Sequence, residues 1–131
     1  MLENKTILIT GSSRGIGAAI ATLATYSGKR ILILGDMKEL GCDEKQIHFH
    51  SGEKIRAAGI DYLFTFGNLS AATTAAFGKN AKHFTDQNAL LIALQPYLDN
   101  HTTILVKGSR SMKMEKIVAG IIPESLLEKT H

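Results

Sequence analysis

Tryptophan is absent from this 131-residue chain, and cysteine occurs once, as Cys42. One thiol excludes an internal disulfide, so packing alone must hold the fold, and a reducing, cytoplasmic setting is the natural expectation. No apolar run approaches the roughly 20 residues that a membrane helix needs, which argues against a membrane role. Residues Met1-Leu2-Glu3-Asn4-Lys5 lead straight into an apolar strand, so no signal peptide is expected. Aromatics number eight, three Tyr and five Phe, and they do not interleave with the basic residues. The formal charge of +3 is spread along the chain instead of forming a patch, so nucleic acid is not expected as a partner.

What is present is ordinary globular composition, 44% apolar and 21% charged, in a length that suits one domain. Short apolar runs alternate with helical patterns. Thr6–Thr10, Ile31–Leu34, Asp61–Phe66, Lys82–Phe84 and Thr103–Val106 read as strands. Between them, Ile16, Ala19, Ile20, Leu23 and Ala24 share a helical face closed by Gly28. Asp43 with Gln46 reads as a capping box, with Ile47, Ile55 and Ala58 inward and Gly59 as the stop. Asn68 is expected to cap a short alanine-rich helix to about Phe77. Asp86–Leu98 carries a Leu90, Leu91, Leu94, Leu98 stripe, and Ser111–Gly120 places Met114, Ile117, Val118 and Ile121 inward. Strand-then-helix five times over, with continuously apolar strands, predicts an α/β fold: a Rossmann-like three-layer α/β/α domain on a mostly parallel five-stranded sheet. The expected strand order is 3-2-1-4-5, with residues 6–10 beside residues 31–34.

Four of the five strands run into glycine, at Gly11, Gly35, Gly67 and Gly108, which places a ligand cleft at the carboxyl ends. The sharpest motif is Thr10-Gly11-Ser12-Ser13-Arg14-Gly15-Ile16-Gly17, a strand-to-helix turn suited to a phosphate. Over about residues 3–24 it resembles the short-chain dehydrogenase/reductase family, whose cofactor loop reads Thr-Gly-x-x-x-Gly-x-Gly. The resemblance implies that Gly11, Ser12, Ser13, Arg14, Gly15, Ile16 and Gly17 face a dinucleotide, with Asp36 beside its ribose. It then departs from that family. Tyr26, Tyr62 and Tyr97 are followed four residues on by Arg30, Phe66 and His101, so no Tyr-x-x-x-Lys is formed. Asp36 also stands where NADP-binding members often place arginine. Hydride transfer is therefore not expected, and nucleotide binding would be weak.

From about Ala19 to Gly120 the chain resembles the C-terminal domain of the Mur ligase family of peptidoglycan synthesis. The resemblance rests on Gly28-Lys-Arg-Ile-Leu-Ile-Leu-Gly-Asp-Met-Lys-Glu-Leu-Gly41, His48, Ala57-Ala-Gly-Ile-Asp-Tyr62 and Ile104-Leu-Val-Lys-Gly-Ser-Arg-Ser-Met-Lys-Met-Glu115. In that family the domain packs on a central ATPase domain and closes over ATP and an incoming amino acid or dipeptide such as D-Ala-D-Ala. The resemblance puts Lys107, Gly108, Ser109 and Arg110 on the dipeptide side, where two cations and a helix N-terminus could hold a carboxylate. His48 matches a histidine of the family pattern, although a surface position is expected for it. His48 and His50 are two apart and do not share a helical face, so no metal pair is expected.

Together these features read as one domain over residues 1–131. Residues 1–24 form a dehydrogenase-like β-α element grafted onto a ligase-like unit at 25–120, with 121–131 as a tail. The chain has no Gly-x-x-x-x-Gly-Lys-Ser/Thr loop to cradle ATP and magnesium. The expected function is thus a non-catalytic ligase domain that requires no cofactor and binds ATP, NAD or NADP weakly at most. The alternative is a dinucleotide- or phosphate-binding module acting through the 10–17 loop.

Overall fold

The two shortest strands stand at the edges of the sheet and the longer ones fill its middle. The computed structural model describes residues 6–9, 16–36, 44–68, 70–98, 102–108 and 113–121. Its strands are β1 (Thr6–Ile9), β2 (Lys29–Gly35), β3 (Tyr62–Phe66), β4 (Ala81–Phe84) and β5 (Thr102–Lys107). They form one sheet in the order β1-β5-β2-β3-β4, and every neighbouring pair is parallel. The expected order 3-2-1-4-5 is therefore corrected. Ile7 pairs with Ile104, and it is Ile104 that pairs with Ile31, so β5 separates residues 6–9 from residues 31–34.

The physical reason lies in burial. All six residues of β5 are buried, so it takes a position flanked on both sides, while the four-residue β1 and the half-buried β4 take the rims. Sequence adjacency favours β1 beside β2, but it carries no information on a later strand inserting between them.

Among the described residues five helices cover the sheet: α1 (Ile16–Ala24), α2 (Glu44–Ala57), α3 (Ala71–Phe77), α4 (Gln87–Leu94) and α5 (Glu115–Ile121). Strand alternation sorts the core into two layers. Leu32, Leu34, Leu63 and Leu105 pack with Ala19, Ile20 and Leu23 of α1, Ile55 of α2 and Phe77 of α3. Ile31, Ile33, Phe64, Ile104 and Val106 pack with Leu90 and Leu94 of α4 and Ile117, Val118 and Ile121 of α5. Right-handed crossovers require this division. The connections β1 to β4 move one way across the sheet and put α1–α3 on one face, and the return from β4 to β5 puts α4 on the other. No helix among the described residues is long and apolar enough to cross a membrane.

Three local expectations change. Asp86 does cap α4, its carboxylate accepting the Ala89 N–H at 3.0 Å, but a 3-10 turn at Gln95–Tyr97 ends that helix early, at its proline. Asn68 does not cap α3. Ser70 occupies the N-cap without a side-chain bond, and its N–H donates to Asp36 Oδ1 at 2.7 Å. Ile55 of α2 and Ala58 just after it face the core as expected, but Ile47 is 37% exposed and His48 and Ser51 are buried instead. The cause is a close approach to α3. A Cβ on Gly52 would lie 2.3 Å from the Thr73 carbonyl oxygen and 2.8 Å from Ala76 Cβ. The side packed on α3 is therefore small and polar, and a periodicity of large apolar residues misses it. Asp43 and Ser111 lie outside the described residues.

At the amino edge, Arg30 ties the lower ends together. Its guanidinium donates to Gly59 O at 2.6 Å and Ala24 O at 3.3 Å, and its backbone N–H donates to Asp61 Oδ2 at 2.8 Å. The last carbonyls of two helix ends are satisfied by one side chain.

Two glycines in helices should answer oppositely to alanine. Gly52→Ala should lower the unfolding free energy by about 1–3 kcal/mol, because backbone blocks the new methyl. Gly17→Ala, where nothing lies within 4 Å of the added carbon, should raise it by roughly 0.5–1 kcal/mol. Urea denaturation of the two variants checks both signs.

Candidate functional site

The observed strand order fixes where the topological switch points lie. The loops leaving β1 and β2 lead to α1 and α2 on one face, whereas the loop leaving β5 leads to α5 on the other. β5 lies between them, so the crevice of a topological switch point flanks its carboxyl end on both sides. A second divergence lies between β3, which leads to α3, and β4, which leads to α4.

Lys107 is the last residue of β5, in register with Leu34, and it is 3% exposed. Alternation from Leu105 places it on the α1–α3 side. Burial lowers its pKa from the ordinary lysine value, since the charged form is partly stripped of water. Gly108 follows at a crowded junction. A Cβ there would sit 3.1 Å from Gly35 Cα and 2.9 Å from Met114 Cγ, so glycine lets the ends of β2 and β5 close on the residue preceding α5.

Asp36 stands one residue past β2 and is buried. Its N–H donates to Phe66 O at 3.1 Å, and its carboxylate accepts from Ser70 N–H. The carboxyl group also lies against Gly67, where a Cβ would come within 2.5 Å of it at a φ of +117°. Its Oδ1 is thus committed to holding the start of α3, and a ribose hydroxyl would have to compete for it.

His48, expected at the surface, is 1% exposed and lies between α2 and α3. Its carbonyl accepts from Thr73 Oγ1 at 2.8 Å. His50 is exposed and pairs with Glu53 at 3.0 Å. Among the described residues no three His, Cys, Asp or Glu are grouped to hold a metal ion. Ile16 opens α1, and Gly17 beside it is exposed. Gly11, Ser12, Ser13, Arg14, Gly15, Ser109 and Arg110 lie outside the described residues. Of the expected site residues, the fold gathers Lys107, Gly108 and Asp36 around the ends of β5 and β2 and buries His48 on α2, against Thr73 of α3.

Sequence reasoning missed His83, in β4. Its Nδ1 lies 2.7 Å from Thr65 Oγ1, which in turn meets Thr74 Oγ1. The available signal was a pair of threonines, Thr73 and Thr74, inside an otherwise apolar seven-residue helix. Burial lowers the His83 pKa, and the Asp36 carboxylate pulls it partly back. Because the folded-state value lies below the unfolded one, the unfolded chain takes up the proton first as pH falls. Stability is therefore complete above about 6.5 and declines as pH drops through the folded value. His83→Asn should flatten that decline, as measured by thermal unfolding across a pH series.

With this geometry in view, the comparisons with known proteins are direct. The family model described as "Mur ligase, glutamate ligase domain" matches residues 4–110 in one span. The UDP-N-acetylmuramoyl-tripeptide–D-alanyl-D-alanine ligase of Escherichia coli (strain K12) is 38% identical over 126 residues, covering 92% of this chain and 28% of that protein. The crystal structure of MurF ligase from Thermotoga maritima in complex with ADP superposes with a TM-score of 0.77 at 21% identity, over 91% of this chain and 28% of that one. A lesser match, 36% identical over 64 residues, covers 49% of this chain and 22% of an uncharacterized oxidoreductase of Thermotoga maritima. The ligase match takes in residues 4–24 with the rest, so the opening β-α element needs no second parent. The chain spans about a quarter of the relatives' length, and over that span it belongs to the Mur ligase family, as its glutamate ligase domain.

Proposed function

We propose that this domain forms the dipeptide-side wall of a peptidoglycan ligase cleft and is not a catalyst by itself. Lys107 and Gly108, continuing into Ser109 and Arg110, would receive the carboxylate of D-Ala-D-Ala. ATP would be shared with a central ATPase domain of the kind that the family resemblance implies. The observation that carries the reading is the placement of Lys107. It is a buried cation at the carboxyl end of the one strand whose two neighbours both leave on the opposite face. A charge-assisted bond from a desolvated ammonium is roughly twice as strong as a neutral one, and Gly108 leaves backbone within reach of a ligand. Acyl-phosphate chemistry also needs a phosphate cradle and magnesium, which this sequence does not encode in a Gly-x-x-x-x-Gly-Lys-Ser/Thr loop.

A second reading is favoured by the likeness to the oxidoreductase: the turn before α1 holds a phosphate or the diphosphate of NAD or NADP. Two described residues fit a full dinucleotide poorly. The last glycine of such a loop serves close helix–strand packing, yet the space around Gly17 is open, and Asp36 Oδ1 already has a donor. A phosphate at the α1 N-terminus is the part of this reading that these residues accommodate. A grafted origin for residues 1–24 belongs to this reading alone.

Titrating the chain with D-Ala-D-Ala, ATP, NAD, NADP and inorganic phosphate, while following the Gly17, Asp36 and Gly108 amide signals, separates the two. The dipeptide should move Gly108, and Lys107→Met should weaken that binding at least about tenfold. Movement of Gly17 by NAD, NADP or phosphate with Gly108 unmoved would favour the second reading. ADP release by the isolated chain given UDP-tripeptide, D-Ala-D-Ala and ATP would overturn the non-catalytic one.

A further inference from the structure

The seven residues of α3, Ala71–Phe77, carry no charge, yet a chain of polar contacts crosses them. His83 Nδ1 lies 2.7 Å from Thr65 Oγ1, and Thr65 Oγ1 lies 2.5 Å from Thr74 Oγ1. Thr74 Oγ1 donates to the Ser70 carbonyl at 3.3 Å, beside the Thr74 N–H, which donates to the same oxygen at 3.1 Å. The N–H of the same Ser70 donates to Asp36 Oδ1. Thr65 and Ser70 are fully buried, so water does not replace a missing partner at low cost.

Each hydroxyl has one proton, and this decides the direction of the chain. The Ser70 carbonyl can only accept, so Thr74 gives it its proton. Thr65 must then donate to Thr74. Thr65 has no proton left for the imidazole, so His83 must supply one from Nδ1. In any other arrangement one of the three contacts carries no proton.

We propose that this one-way chain holds His83 as its Nδ1–H tautomer and makes it a proton sensor, with Nε2 taking up the proton and the hydroxyl chain carrying the change to the first turn of α3. A charged imidazole is a stronger donor, and successive hydrogen bonds polarise one another. Protonation thus tightens His83 on Thr65, Thr65 on Thr74 and Thr74 on Ser70, the residue that Asp36 holds from the end of β2. The neighbouring charges leave few competitors. Among the described residues, Asp36 is the charged group that acts on His83. Lys82 faces the opposite side of the sheet, over the Tyr97 ring, and the Asp86 carboxylate caps α4. His48 lies on α2, its carbonyl accepting from Thr73 of α3. The chain of bonds does not depend on what the strand-end cleft binds.

Nitrogen-15 NMR of the His83 ring and carbon-13 NMR of the Ser70 carbonyl test this in the intact chain. Neutral His83 should show a protonated Nδ1, and the Ser70 carbonyl should titrate with the midpoint of His83. Thr65→Val should abolish the Ser70 titration while His83 still titrates, and Thr65→Ser, which keeps the hydroxyl, should restore it. A neutral Nε2–H tautomer in the unaltered protein would overturn the proposal without any variant. A Ser70 titration that persists in a folded Thr65→Val protein would overturn it equally.

Discussion

The insertion of β5 between β1 and β2 is the constraint on which the rest of the structure depends. Six consecutive buried residues, Thr102–Lys107, are stable only with a strand on either side and a helix layer above and below. Once β5 takes that place, the handedness of the crossovers assigns α1–α3 to one face and α4–α5 to the other. The divergence of loops at its carboxyl end follows directly. Lys107 is there because the strand is there, and its burial is a consequence of the strand's central position. The same placement brings Gly108 against Gly35, so that the ends of β2 and β5 form one surface.

The elements of the fold were largely legible in the sequence, because they depend on local periodicity. The inward residues of α5 and the buried leucines of α4 lie where their spacing puts them. Strand order was not legible, since it depends on which strand can best be covered on both sides, a comparison between distant segments. At α2 the expectation held at Ile55 and Ala58 and failed at Ile47, because the surface facing α3 is small and polar. His48, Ser51 and Gly52 pack on α3 where a pattern search looks for Ile47. The site divides in the same way. Lys107 and Gly108 were visible as a cation and a glycine at a strand end. The role of Asp36 was not, because its partner Ser70 is 34 residues away. His83 was hidden for the same reason, its partners being brought together only by the β3–β4 pairing and the α3 layer.

Two buried polar systems therefore meet at the upper end of the sheet. One is the buried Lys107 at the end of β5. The other runs from His83 through Thr65, Thr74 and Ser70 to Asp36. They serve different ends. The first is placed by topology, at the end of a buried central strand. The second satisfies groups that would otherwise be buried without partners, and it fixes where α3 begins.

The most direct measurement of the central claim is the set of interstrand backbone NOEs in the labelled chain. The account predicts contacts from Ile7 and Leu8 to Ile104 and Leu105, and from Leu32 to Leu105, with none between residues 6–9 and residues 31–34. Backbone NOEs joining residues 6–9 directly to residues 31–34 would contradict it, because β5 would then lie elsewhere and the switch point at its end would not exist.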